Sequence, residues 1–175
     1  MLYLIGGPSR AGKSTLALRL HNEVGASLVT TDAIVWMLQV AAPELGVRHG
    51  TITKSEDALP FLIPFVEAAT VYGQRDLILE GDAIAPSSVA ELLALWPGRA
   101  VILGASALTA AECRARGGYV SELADDAVEQ LAQFVRDRSA REKAACAQLG
   151  ISHIDVRDFD ADLSRAWTAL TAPVT

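Results

Sequence analysis

The chain has 175 residues and a formal net charge of −6, with 15 Lys+Arg against 21 Asp+Glu. That length fits about one domain, and 51% hydrophobic with 21% charged residues excludes a disordered chain. The net acidity, with no Lys/Arg cluster interleaved with aromatics, disfavours a nucleic-acid partner, and no apolar stretch approaches the roughly 20 residues of a membrane span. Met1 leads directly into an apolar run at 2–6 with no basic leader or cleavage site, so no secretory signal is expected. Further short apolar runs lie at 27–30, 76–80, 99–104 and 151–155. They are mostly continuous rather than alternating, the pattern of parallel strands covered on both faces. Between them, 13–24, 32–42, 56–72, 87–96, 125–149 and 161–170 carry apolar residues at helical spacing. Thr31 and Asp32 offer capping oxygens, Pro86 opens a helix, and Gly150 ends one. The alternation of strand and helix predicts an α/β fold, a three-layer α/β/α sandwich in a single domain over 1–175. Two less regular segments, near 43–60 and 114–126, carry glycine and charge and are candidates for mobile flaps. Cys113 and Cys146 lack metal-type spacing and suit a reducing compartment, so the expected location is the cytoplasm.

One motif carries chemistry. Gly7, Pro8, Ser9, Arg10, Ala11, Gly12, Lys13 and Ser14 match G-x-x-x-x-G-K-[ST] at every fixed position, directly after a strand and opening a helix. Glycines let the backbone wrap an anion, successive N–H groups face phosphates, Lys13 reaches the β/γ-phosphates, and the Ser14 hydroxyl ligates Mg²⁺. Thr15 is a second phosphate contact or a packing residue. Asp32 ends the second strand, where ligands bind in open α/β sheets. There it accepts an acceptor hydroxyl's proton, holds magnesium through water, or caps the following helix. Glu80, Gly81 and Asp82 close the third strand as a loose Walker-B pattern, with Glu80 or Asp82 facing the metal.

Absences narrow the class. Asn22 is the only asparagine, so a guanine-reading N-K-x-D motif is absent, and a motor ATPase needs a longer chain. With Gly7 to Thr15, Asp32 and Glu80–Gly81 in place, the sequence resembles the small P-loop kinases of the adenylate kinase, shikimate kinase and chloramphenicol phosphotransferase group. It also looks like their 2-phosphoglycerate-kinase-like and uncharacterised members. The resemblance implies the P-loop NTPase fold, with a five-stranded parallel sheet in order 2-3-1-4-5, a short lid at 114–126, MgATP as donor, and a small-molecule acceptor near Asp32. It implies a monomer or homodimer. The arginine expected for an acceptor phosphate has no clear counterpart, which weighs against a nucleoside monophosphate acceptor.

Transferring a phosphoryl group needs fixed cations over its oxygens. Arg114 and Arg116 precede Gly117–Gly118 in the lid, and Arg136, Arg138 and Arg141 follow on a helix. Arg116 and Arg138 are the choices for catalysis beside Lys13 and Asp32, although Arg138 also has Glu142 as an i,i+4 partner and Asp137 has Arg141. Arg48 and His49 fall in the acceptor-side flap. His21 and His153 read as structural. Trp36, Met37 and Phe65 read as core residues before acceptor-pocket residues. Three functions follow: an ATP-dependent phosphotransferase acting on a small molecule, a nucleoside monophosphate kinase, or an ATP-binding switch with little turnover.

Overall fold

The computed structural model describes residues 1–47, 58–73 and 76–172. Five parallel strands, β1 (Leu2–Gly6), β2 (Ser27–Thr30), β3 (Leu77–Glu80), β4 (Gly98–Gly104) and β5 (His153–Asp155), lie in the order β2-β3-β1-β4-β5. Among the described residues, seven α-helices flank the strands, six between them and the last after β5: α1 (Lys13–Val24), α2 (Thr31–Ala41), α3 (Leu59–Tyr72), α4 (Pro86–Leu95), α5 (Ala110–Ala115), α6 (Asp125–Leu149) and α7 (Phe159–Thr171). β1 and β3 are buried at every position. Unbroken apolar runs leave neither face able to meet water, so helices must cover both.

Alternate side chains of the strands feed two cores. Tyr3, Ile5, Ile78, Val101 and Leu103 pack with Leu16 and Leu20 of α1, Val135 of α6 and Leu163 of α7. Leu2, Leu4, Leu77, Leu79 and Ile102 pack on the other face with Leu62 and Val66 of α3 and Leu92 of α4. Leu4 and Leu79 are fully buried register partners, so truncating either to Ala costs about 2–5 kcal/mol.

Register brings the chemistry-bearing residues to one edge. β1 ends at Gly6 just before the glycine motif, Ile5 pairs with Glu80, and Glu80 pairs with Thr30 on the other side. Parallel strands point all their carboxyl ends the same way, so the motif, Asp32 and Glu80 converge.

Several boundaries differ from the sequence expectation. Thr30 rather than Thr31 or Asp32 caps α2: its hydroxyl accepts from the Asp32 N–H at 3.3 Å, which places Thr31 and Asp32 inside the first turn. Residues 110–115 form α5, not anticipated in an apolar stretch, nucleated by a capping box between Thr109 and Glu112. β4 starts at Gly98, one residue before the expected run, where a Cβ would come within 2.4 Å of the Leu2 carbonyl. Trp36 and Met37 are exposed, at 58% and 55%, on the outer side of α2 rather than in the core, while Ile34 and Val35 take the inner side. Phe65 packs against the α3 side of the sheet as expected. Arg48, His49, most of the acceptor-side flap and the first residues of the expected 56–72 helix lie outside the described residues. No helix among the described residues is long and apolar enough to cross a membrane.

Candidate nucleotide site

A cleft of about 910 Å³ opens at the carboxyl ends of β1, β2 and β3, within the usual range for a small-molecule site. The backbone shapes its floor. Gly7 at φ 125° has its α-hydrogen against the Leu103 carbonyl, and Gly12 at φ 93° forms the start of α1. A Cβ at Gly7 would come within 2.0 Å of that oxygen, so only glycine allows the turn. No side chain caps α1 and its first turn carries no acid, leaving its N–H groups and positive dipole end available to an anion. Arg10 sits between these glycines at φ 67°, the one described non-glycine residue in the left-handed region, at a cost of about 1–2 kcal/mol.

Lys13 is 7% exposed and bridges the loop. Its ammonium donates to the Pro8 carbonyl at 2.8 Å and pairs with the Asp82 carboxylate at 2.5 Å. Ser14 Oγ lies 3.4 Å from both Glu80 carboxylate oxygens. Glu80 is 7% exposed, and burial pushes its carboxyl above the ordinary range. The Thr30 hydroxyl and Lys13 oppose that rise, and neighbouring Asp32 adds to it. Such a carboxylate beside a serine hydroxyl suits a divalent cation, which would replace the lost solvation. Among the described residues no group of three His, Cys, Asp or Glu side chains is arranged to hold a metal on its own, so Ser14 and Glu80 fit a Mg²⁺ that also takes phosphate or water ligands.

Asp32 lines the cleft near Glu80 and is exposed. Gly81, at φ 146°, lies against Thr31, and a Cβ there would meet the Thr31 hydroxyl at 1.9 Å. That close approach holds the Asp32 turn against the end of β3.

The arginines divide. Arg138 lines the cleft, donates from Nη2 to the Asp82 carbonyl at 2.6 Å, and pairs through Nε with Glu142 at 2.8 Å. The i,i+4 pair and the cleft position therefore coexist. Glu142 is buried, and the cost of burial holds its carboxyl above the ordinary range against the opposing Arg138 charge. Arg116 also lines the cleft, donating to the Arg10 carbonyl. Arg114 does not: it fastens the lid internally, to the Ser121 and Leu123 carbonyls and to Asp125 at 2.7 Å. Arg136 is tied to the Leu108 carbonyl and Glu129, and Arg141 is exposed, outside the cleft lining. The expected Asp137–Arg141 pair is replaced by a Gln133–Asp137 hydrogen bond at 2.7 Å.

Of the glycine motif, Ser9, Arg10, Gly12, Lys13, Ser14 and Thr15 line the cleft. Gly7 supports it from beneath, Pro8 contributes its carbonyl to Lys13, and Ala11 is buried in the core. Sequence reading missed Tyr119, Leu131, Phe134 and Phe159 as cleft residues. Three of these are aromatic, and nothing in the sequence alone separates them from core aromatics. His21 and His153 are structural: His21 Nδ1 lies 2.7 Å from the Ala26 carbonyl, and burial pushes His153 below its usual range.

No family model matches the sequence. A cytidylate kinase of Vibrio vulnificus is 39% identical over 83 residues, 46% of this chain and 34% of that protein. A cytidylate kinase of Pseudomonas paraeruginosa is 39% identical over 85 residues, 46% of this chain and 35% of its own length. The chain thus spans about a third of the length of these curated relatives. Among solved structures, a shikimate kinase from Acinetobacter baumannii in complex with shikimate superposes with a TM-score of 0.61 at 16% identity, covering 95% of this chain and 90% of that one. A gluconokinase from Sinorhizobium meliloti gives 0.59 at 17% identity, covering 97% and 90%. By strand order, by the glycine motif and by both kinds of likeness, the chain has the three-layer α/β/α fold of the small P-loop kinases and resembles that group.

Proposed function

We propose that the protein is an ATP-dependent phosphotransferase that moves the γ-phosphoryl group of MgATP to a small-molecule acceptor, as a soluble cytoplasmic enzyme. One observation carries this reading: the glycine motif with Lys13 and Ser14, the carboxylates Asp32 and Glu80, and the guanidinium-bearing Arg116 and Arg138 all line one cleft. A nucleotide needs the first set, a metal the second with Ser14, and the transferring group the last.

The residues divide the work as follows. The backbone of the glycine motif and the open end of α1 hold the phosphates. Lys13 exchanges its Asp82 partner for phosphate oxygens, which suits an ammonium already held in place by the Pro8 carbonyl. Ser14, with Glu80 beside it, would hold magnesium, which would supply charge neutralisation to the phosphates. Asp32, exposed to the cleft, accepts the acceptor hydroxyl's proton or orients that hydroxyl. Arg138 and Arg116 supply cations to the transferring oxygens, and the lid excludes water.

A nucleoside monophosphate acceptor is the second reading, favoured by the sequence likeness to cytidylate kinases. ADP production by the purified protein with Mg²⁺ and ATP, scanned against pools of hydroxyl-bearing metabolites, sugar acids and nucleoside monophosphates, separates the two. One pool should raise turnover well above the rate without acceptor. Tight ATP binding with no stimulating pool would favour an ATP-binding switch instead.

A further inference from the structure

Arg10 occupies a left-handed backbone position that glycine would take without strain. Strain of this kind persists where surrounding contacts over-determine the residue, and the contacts of its side chain all lead to the lid. Arg10 Nη1 donates to the Gly117 carbonyl at 2.9 Å. Its guanidinium carbon lies 5.1 Å from the centroid of the Tyr119 ring, in cation–π range. Gly118 lies alongside: a Cβ there would meet Arg10 Nη2 at 3.6 Å. The contact is reciprocated, because Arg116 Nη1 donates to the Arg10 carbonyl. Each of the two segments thus contributes one guanidinium and receives the other on its backbone. Among the described residues, neither guanidinium has a carboxylate within ion-pair distance. The lid start is shaped to accept this, since Gly117 and Gly118 both take positive φ, which turns the Gly117 carbonyl toward the loop.

We propose that Arg10 is a positioning residue that clasps the lid to the phosphate loop, so that the pose of Arg116 and the order of residues 116–122 depend on a side chain of the loop itself. This rests on the phosphotransferase reading only for its kinetic consequence: whatever stabilises the loop also stabilises the lid, and nucleotide affinity includes the clasp.

The test is hydrogen exchange of the full chain, followed by mass spectrometry on peptides covering 114–124, with R10G and R10K. Glycine relieves the backbone strain and deletes the clasp, so R10G should fold at least as well as the parent. Its lid amides should nonetheless exchange about tenfold faster, the factor expected for losing a charged hydrogen bond. R10K retains a cation over Tyr119 and should fall between the two. Exchange in R10G equal to the parent would overturn the clasp, whether or not the protein turns over ATP. If the parent binds ATP in calorimetry, R10G should bind about tenfold more weakly and R10K should recover part of that loss. Unchanged ATP affinity beside a loosened lid would overturn the coupling between them, whereas a parent that binds no ATP refutes the phosphotransferase reading and leaves the exchange result to decide the clasp.

Discussion

In the proposed phosphotransferase reaction, the phosphate side and the acceptor side of the cleft are built differently. On the phosphate side the working groups are held: Lys13 and Glu80 are buried, each 7% exposed, and Lys13, the exposed Ser14 and the half-buried Arg138 all have partners within the protein. On the acceptor side Asp32 is exposed, and the outer side of α2 shows Trp36, Met37 and Val40 to solvent. A triphosphate is the same in every reaction, so backbone conformation and a few fixed charges suffice to bind it. An acceptor differs from enzyme to enzyme and must be recognised by side chains on a less constrained surface.

The sharpest way to break that contrast is to remove a group on each side. K13A should lower ATP turnover by about a thousandfold, since it deletes the cation on the transferring phosphates. Full activity in a folded K13A would end the mechanism. D32N should lower turnover by about a hundredfold or more and leave ATP affinity within about threefold, because the acceptor side contributes little to holding the donor. Equal losses in both would show that the two sides are not separable. The arginines give an intermediate effect: R138A should cost about ten- to a hundredfold in turnover, whereas R136A, tied to the Leu108 carbonyl outside the cleft, should stay within about threefold. Steady-state rates for the pair suffice to check this.

The smallest effect concerns stability. Burial raises the Glu80 carboxyl, so at a pH between its ordinary and its folded-state pKa the folded protein holds a proton that the unfolded chain has released. The stability this group contributes is complete below the ordinary carboxylate range and is lost as pH rises through its folded-state pKa. E80Q removes the charge, and at neutral pH should raise Tm by about 2–4 °C while lowering turnover. Melting curves from pH 4.5 to 7.5 should also show a shallower pH dependence in E80Q than in the parent, and parallel curves would remove Glu80 as the source of the slope.

The same contrast explains what could be read from sequence. The strands at 2–6 and 27–30 and the helices at 13–24 and 125–149 were legible to the residue because glycine caps and uninterrupted apolar runs mark their ends. The glycine motif was legible because few sequences satisfy its spacing. α5 was not: at six residues its signal is the Thr109–Glu112 box, which looks like ordinary loop polarity. The outward position of Trp36 and Met37 is not legible in the sequence, because an apolar helix in isolation does not tell which side meets the sheet. Among Arg114, Arg116, Arg136, Arg138 and Arg141 the sequence favours Arg116 and Arg138, and both line the cleft; what holds the others elsewhere, such as the Leu108 carbonyl that ties Arg136, lies far away in sequence and leaves no local signal.

The anchorage of α6 bears on how such a protein can change over generations. This helix of 25 residues is pinned near its middle: Ser139 Oγ accepts from the Ala105 N–H at the end of β4 at 2.9 Å, one residue from Arg138. The segment before that point carries the lid, and the segment after it leads through Gly150 to β5. Insertions or deletions upstream of the pin can resize the lid without displacing the arginine, so the length of the lid can drift by descent while Arg138 keeps its place.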